Sequence, residues 1–340
     1  MIRLIKTKKI ALALVFVLFL LLQYSCLLTP PRQHEYYKKQ KLNPSIKKNQ
    51  LSKPVKGLNH KNKGSIVTTR PLVDINYQRK MWALIIGISK YKYQKGLKEL
   101  IYADDDALDI SAMLLKLNWK KSHIKMLINE QATNMNIRIA IESWLTKAKT
   151  KDLVFIYWSG HGYPDPEIPD KVYFACYDTQ INIPATGYRM DKVRDSIEEL
   201  NVKNVIILAD TCHAGKIITR GNNRVDYSLS SKFKNITKIP KGWIFMVSAD
   251  SDRTAIESSS WSNGAFTHCV LEALSGKADG YMSSDYKDGI ITMAELKTYI
   301  SYIMPDITQK VLGVSKHPII TTSTGDPKIW KLTLQTSSQK

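Results

Sequence analysis

DLVFIYWSGHGYPDPE, residues 152–167, decides how this chain is read. Asp152 to Trp158 is a short run dense in apolar, β-branched and aromatic side chains, the composition of a buried strand. It closes on Ser159-Gly160-His161-Gly162 and then on prolines and acids. Glycines on both sides of a histidine relax the backbone and clear space around the imidazole. A histidine presented that way belongs either to a tight turn or to a site.

Outward from that run the pattern alternates. Trp82 to Ile88 reads as a strand, Asp104 to Leu117 as an amphipathic helix, Ile124 to Ile128 as a strand and Thr133 to Lys147 as a helix. Val172 to Tyr177 reads as a hairpin arm, and Asp191 to Leu200 as a helix. Val202 to Ala209 and Trp243 to Ala249 follow as strands, and Phe266 to Leu274 as a helix. Such alternation predicts an α/β fold with a mostly parallel central sheet and helices on both faces. Reactive residues in such sheets lie beyond the carboxyl ends of the strands. Two strand ends stand out: the one carrying His161, and VIILADTCHAG (205–215), which carries Asp210, Cys212 and His213. If those strands are neighbours, His161 and Cys212 can meet.

The charge is unevenly spread. Residues 1–80 hold 17 Lys/Arg against two acids, a net +15, whereas residues 81–340 hold 33 basic and 28 acidic residues, a net +5. The body is thus an ordinary globular domain, and the basicity belongs to a tail. Cys26, Cys176, Cys212 and Cys269 have no paired spacing, which argues against a disulfide framework or a zinc ribbon. His161, Cys212 and His213 could in principle bind a metal, but no further ligand pair has suitable spacing.

MIRLIKTKK followed by the 13-residue apolar run IALALVFVLFLLL is the pattern of a secretory signal. Ser25-Cys26 resembles the processing site of bacterial lipoproteins, although Gln23 and Tyr24 match that box poorly. The alternative is an uncleaved anchor, because Ile10 to Leu28 is about long enough to span a bilayer. Either reading of residues 1–28 ties the protein to a membrane, with the globular body expected to be exported into a bacterial cell envelope, although Lys38, Lys39 and Lys41 blunt the charge asymmetry. Residues 29–78 read as a basic linker that cannot bury enough surface to fold. Its lysines suit anionic lipid. Nucleic acid is disfavoured as a partner, since the tail has no interleaved aromatics beyond Tyr36 and Tyr37.

A Cys/His pair on one sheet rim has a definite chemistry. The thiolate is the nucleophile, and a nearby imidazole can take the thiol proton and later return one to a leaving amine. The tetrahedral oxyanion needs N–H donors, for which Gly162 and Cys212 are the candidates. The reaction implied is peptide-bond hydrolysis through a thioester.

At these motifs the sequence resembles the caspase-like cysteine peptidases of clan CD, in their metacaspase and bacterial orthocaspase branch. MWALIIGISKY (81–91), FIYWSGHG (155–162), LADTCHAG (208–215) and SADSDRTAIESSSWSNGAFTHCVLEALSGKADG (248–280) carry the resemblance, which covers about residues 81–325. It implies a caspase-like three-layer sandwich in residues 79–340: a large-subunit-like part at 79–220, a processing loop at 216–241 and a small-subunit-like part at 242–335. It makes His161 the general base and Cys212 the nucleophile. It also makes Asp210 and Asp106 the acids of a pocket for a basic P1 side chain, so that the substrates are proteins or peptides cut after Arg or Lys. Asp104 is expected to serve the helix start instead. A relative that cuts after other residues, and a catalytically silent scaffold that binds protein partners, are the alternatives.

Two segments depart from the family pattern. Asp288, Gly289 and Glu295 match calcium-loop positions, but Ser284 and Tyr286 would be poor ligands. No cofactor is demanded, and calcium stays open as one. The long basic loop at 216–241 offers Arg220, Arg224 and Lys234 as self-cleavage points for a pocket that takes basic residues.

Overall fold

The computed structural model describes residues 79–168, 171–211, 239–248, 257–258, 260–282, 287–323 and 327–335. The readings made on residues 1–78, on Cys212 and on the loop that holds Arg220, Arg224 and Lys234 lie outside the described residues.

A six-stranded sheet organises the domain. It comprises β1 (Met81–Gly87), β2 (Ile124–Ile128), β3 (Leu153–Gly160), β7 (Asn204–Thr211), β8 (Trp243–Val247) and β11 (Ile319–Thr322), in the spatial order β11-β8-β7-β3-β1-β2. All neighbours are parallel except β11, which runs antiparallel to β8. A small antiparallel sheet of β4 (Gly162–Pro164), β5 (Val172–Phe174) and β6 (Tyr188–Arg189) leaves the main sheet just after His161. The hairpin arm expected at 172–177 is the middle strand of that small sheet.

Strand residues alternate between two apolar layers, as a period of two requires. Trp82, Leu84 and Ile86 of β1 pack on one side with Ile137, Ile141, Val193 and Ile197, from α2 (Asn134–Ile139), the helical turns after it, and α3 (Met190–Glu198). Ala83 and Ile85 pack on the other with Ile110 and Leu114 of α1 (Ala103–Lys116), Phe266 and Val270 of α4 (Ala265–Glu272), and Leu296 and Ile300 of α5 (Met293–Leu312). Helices therefore cover both faces, as expected of a three-layer α/β sandwich. All seven residues of β1 pair with β3 and five of them, Ala83 to Gly87, with β2 as well; six of the seven are buried, so this strand has no solvated face to show alternation.

The helix expected over 133–147 is α-helical only to Ile139, then a π turn (Ala140–Trp144) and a 3-10 turn (Leu145–Lys147). Its buried side, Ile137, Ala140, Ile141 and Leu145, remains continuous, and packing on the sheet keeps the segment helical overall. The helix α5 was not legible as a whole. Its start is a capping box in which Thr292 Oγ1 accepts from Glu295 N while Glu295 Oε2 accepts from Thr292 N. Its end is Gly313 in the left-handed conformation.

Gly87 fixes the contact that matters most for function. A Cβ there would stand 2.5 Å from Ala103 O and 2.5 Å from Ala107 Cβ, so only glycine lets α1 sit against the end of β1. That approach delivers the first turn of α1 to the carboxyl rim of the sheet. Among the described residues no helix is long and apolar enough to cross a membrane.

Candidate active site

The register of β3 against β7 sets the geometry of the rim. Ser159 pairs with Asp210 and Gly160 with Thr211, so the next residues in the chain are His161 on one strand and Cys212 on the other. His161 is held at several points. Its N–H donates to Tyr91 Oη at 2.8 Å, its carbonyl accepts from Ala175 N at 2.9 Å, and its ring lies 5.2 Å from the Tyr91 ring. Nε2 is 2.7 Å from Lys98 O. A carbonyl can only accept, so Nε2 carries the proton, and in the neutral ring Nδ1 is then the basic nitrogen. The sequence reading had missed both Tyr91 and the Lys98 carbonyl. No spacing rule points to a main-chain oxygen 63 residues away in the chain.

Asp106 and Asp210 were expected to share a pocket, and the fold brings them together. Asp106 is on α1 and Asp210 near the end of β7; their exposures are 1% and 3%. Asp106 Oδ2 accepts from Ser159 Oγ at 2.9 Å, and Oδ1 accepts from Gly264 N at 3.0 Å. Asp210 Oδ2 accepts from Thr267 N at 3.2 Å and from Thr267 Oγ1 at 2.8 Å. Tyr157 Oη lies 2.6 Å from the same Thr267 hydroxyl. Burial, then the charge of Asp210, raises the Asp106 pKa well above the ordinary carboxylate range. Burial and the two carboxylates likewise push the Tyr157 phenol up. The cluster thus buries two carboxyl groups side by side, an arrangement that a cation would stabilise. Ser159, Gly264 and Thr267 escaped the sequence reading as partners of these acids, since their contacts exist only where α1, β3 and α4 meet.

Asp104 stands in the first turn of α1, as expected, and its Oδ1 accepts from Asp105 N at 3.1 Å, but it is not the N-cap residue. The N-cap of α1 is Tyr102, with no side-chain bond. Its Oδ1 accepts from Ser89 Oγ at 2.6 Å and its Oδ2 from Asn129 Nδ2 at 2.9 Å, which ties the ends of β1 and β2 to the helix. Asn129 Oδ1 in turn accepts from Ser89 N and Lys90 N. Half-buried Asp104 thus joins the start of the helix to the buried Ser89 and Asn129 at the rim of the sheet.

The two described cysteines, Cys176 and Cys269, are both buried, and burial raises both thiol pKa values. Neither suits a thiolate role.

The candidate calcium carboxylates sit in one loop but serve the backbone. Glu295 Oε1 accepts from Gly280 N and its Oε2 from Thr292 N, while Asp288 Oδ1 accepts from Ile290 N. Asp279, the acid before that loop, accepts from Asp288 N and Gly289 N. This is a helix-start turn, and among the described residues no group of three or more His, Cys, Asp or Glu side chains could hold a metal.

A mostly parallel sheet flanked by helices, with a histidine and two buried carboxylates on one carboxyl rim, has the layout of a caspase-like protein. The Caspase domain family model matches residues 80–299, and the chain belongs to that family. Metacaspase-7 of Arabidopsis thaliana is 27% identical over 168 residues, covering 46% of this chain and 40% of that protein. Metacaspase-1 of Lodderomyces elongisporus is 28% identical over 155 residues, covering 40% of this chain and 33% of that protein. The chain therefore spans less than half the length of these curated relatives. The crystal structure of protein GSU0716 from Geobacter sulfurreducens superposes with a TM-score of 0.52 at 19% identity, covering 74% of this chain and 97% of that one, and shares its fold.

Proposed function

We propose that the protein is a cysteine endopeptidase that cuts after Arg or Lys, with Cys212 as nucleophile and His161 as general base. Membership of the caspase-domain family and likeness to metacaspases support the peptidase class. The β3–β7 register supports the pairing, because the residues that follow Gly160 and Thr211 are the imidazole and the thiol. With Nε2 spent on Lys98 O, Nδ1 of His161 is the nitrogen that takes the thiol proton and later protonates the leaving amine. The N–H groups of Gly162 and Cys212 are the proposed donors to the oxyanion.

The observation that carries the specificity is the Asp106/Asp210 pair. A P1 guanidinium entering between the carboxylates places a cation opposite both and lowers the Asp106 pKa. The test is hydrolysis of Arg-, Lys- and Asp-coumarin peptides by wild type and Cys212→Ala. Cys212-dependent turnover of the basic peptides is expected. Preference for the Asp peptide would overturn the specificity, and turnover untouched by Cys212→Ala would overturn the mechanism. Tethering to a membrane of the cell envelope rests on the basic start and the apolar run Ile10 to Leu22. Fractionation of the full chain with membranes tests it.

A further inference from the structure

The opposite edge of the sheet, where the parallel strands begin, is ringed with lysine. Lys80 precedes β1; Lys120 and Lys121 lie just before β2; Lys149 and Lys151 precede β3; Lys203 precedes β7. All six are exposed. Lys241, before β8, is exposed too. The strand register holds these entries side by side: Met81 pairs with Leu153, Leu153 with Asn204, and Val205 with Trp243. Backbone bonds from Leu153 N to Lys80 O and from Lys203 N to Thr150 O tie adjacent entries together.

The acids on that side do little to offset them. Asp152 is buried, and its carboxylate accepts from Lys80 N, Trp82 Nε1 and Lys149 N. Asp279 and Glu295 are bonded to backbone amides. Glu198 and Glu199, at the end of α3, flank the ring beside Lys203. The carboxyl rim is mixed: the exposed Lys90, Lys92, Lys95 and Lys98 stand there with Asp104, Asp105 and the buried Asp106 and Asp210. Among the described residues the strand-entry face is thus the one where exposed lysines from four adjacent strands gather around a single buried acid, Asp152.

We propose that the strand-entry face of the folded domain docks on an anionic phospholipid surface, so that the carboxyl rim with His161 points away from the membrane. Charge complementarity selects the face, since clustered exposed lysines bind anionic lipid headgroups at about 1 kcal/mol each. The chain itself selects lipid over nucleic acid. Residues 1–78, with the apolar run Ile10 to Leu22 and 15 Lys/Arg against two acids, join the domain at Lys80 on this same face. The proposal does not depend on peptidase activity.

The full chain is mixed with phosphatidylcholine vesicles containing phosphatidylglycerol and sedimented. The variant Lys120→Gln/Lys121→Gln/Lys149→Gln/Lys151→Gln is compared with Lys90→Gln/Lys92→Gln/Lys95→Gln/Lys171→Gln, which removes equal charge from the other end. We expect the first to bind at least about tenfold more weakly than wild type and the second to change about twofold or less. Equal losses would show attraction by net charge with no preferred face, and would overturn the proposal. So would binding unchanged in the first variant, or tighter binding of wild type to duplex DNA than to vesicles. Thermal unfolding verifies that both variants fold; if either does not, the single changes Lys120→Gln and Lys90→Gln give the same comparison.

Discussion

Asp106 and Asp210 meet at one glycine. Gly264 N donates to Asp106 Oδ1 at 3.0 Å, and a Cβ at Gly264 would stand 2.1 Å from Asp210 Oδ2 and 3.3 Å from Asp106 Oδ2. The start of α4 can close over two carboxylates only because this residue has no side chain. Gly264→Ala must push one acid aside, at a cost of about 1–3 kcal/mol. For a domain of this size that lowers the unfolding midpoint by roughly 2–4 °C per kcal/mol, measurable by calorimetry. Hydrolysis of an Arg-coumarin peptide should fall with it.

The raised Asp106 pKa gives stability a definite pH slope. Between the unfolded carboxyl value and the raised folded value, the native state holds a proton that the unfolded state has released. Stability therefore falls as pH rises through that window, starting from about pH 4. Asp106→Asn keeps an acceptor for Gly264 N, turns an amide N–H toward Ser159 Oγ, which accepts where it had donated, and removes the titration. Its denaturant midpoint should exceed that of wild type at neutral pH and depend less on pH. A wild-type profile rising through the same window would refute the assignment.

Asp210→Asn addresses specificity without removing a nucleophile. Loss of one charged partner for a guanidinium costs about 1.5–3 kcal/mol, so kcat/KM for an Arg peptide should drop about 10- to 100-fold. A peptide with a neutral residue in place of the Arg should lose much less. Equal losses on both peptides would mean that Asp210 only supports the fold.

Tyr91 is predicted to position His161. Tyr91→Phe removes the acceptor of His161 N at 2.8 Å and leaves that amide unsatisfied, at about 1–3 kcal/mol. The kcat for an Arg peptide should fall about tenfold or more while KM changes little. A rise in KM with kcat intact would place Tyr91 in substrate binding instead.

Self-cleavage is the fifth expectation. Wild-type protein should convert on a gel to two fragments with new termini after Arg220, Arg224 or Lys234, and Cys212→Ala should remain one band. Identical single bands would count against processing.

The strand-and-helix alternation and the Gly-His-Gly and Asp-Thr-Cys-His motifs were legible in the sequence because each depends on local pattern, whereas the pairing of Asp106 with Asp210 was expected only through the family resemblance. Val154 to Trp158 can hardly be anything but a buried strand, and Gly-His-Gly announces a relaxed, cleared backbone wherever it falls. The sheet order, the Lys98 carbonyl beside His161 and the glycine between Asp106 and Asp210 depend on segments 63 to 158 residues apart. No periodicity records such a distance.

Taken alone, the sequence determined the fold class, the two strand ends that carry His161 and Cys212 and the residue types present there. The tertiary structure alone decided that Asp104 would join two strands to a helix while Asp106, two residues on, turned inward beside Asp210. Apolar alternation is enforced residue by residue by the exclusion of water, so it is written along the chain. The fate of a particular carboxylate is set by which donors and charges the packed helices bring within 3 Å or so, and those arrive from elsewhere in the fold.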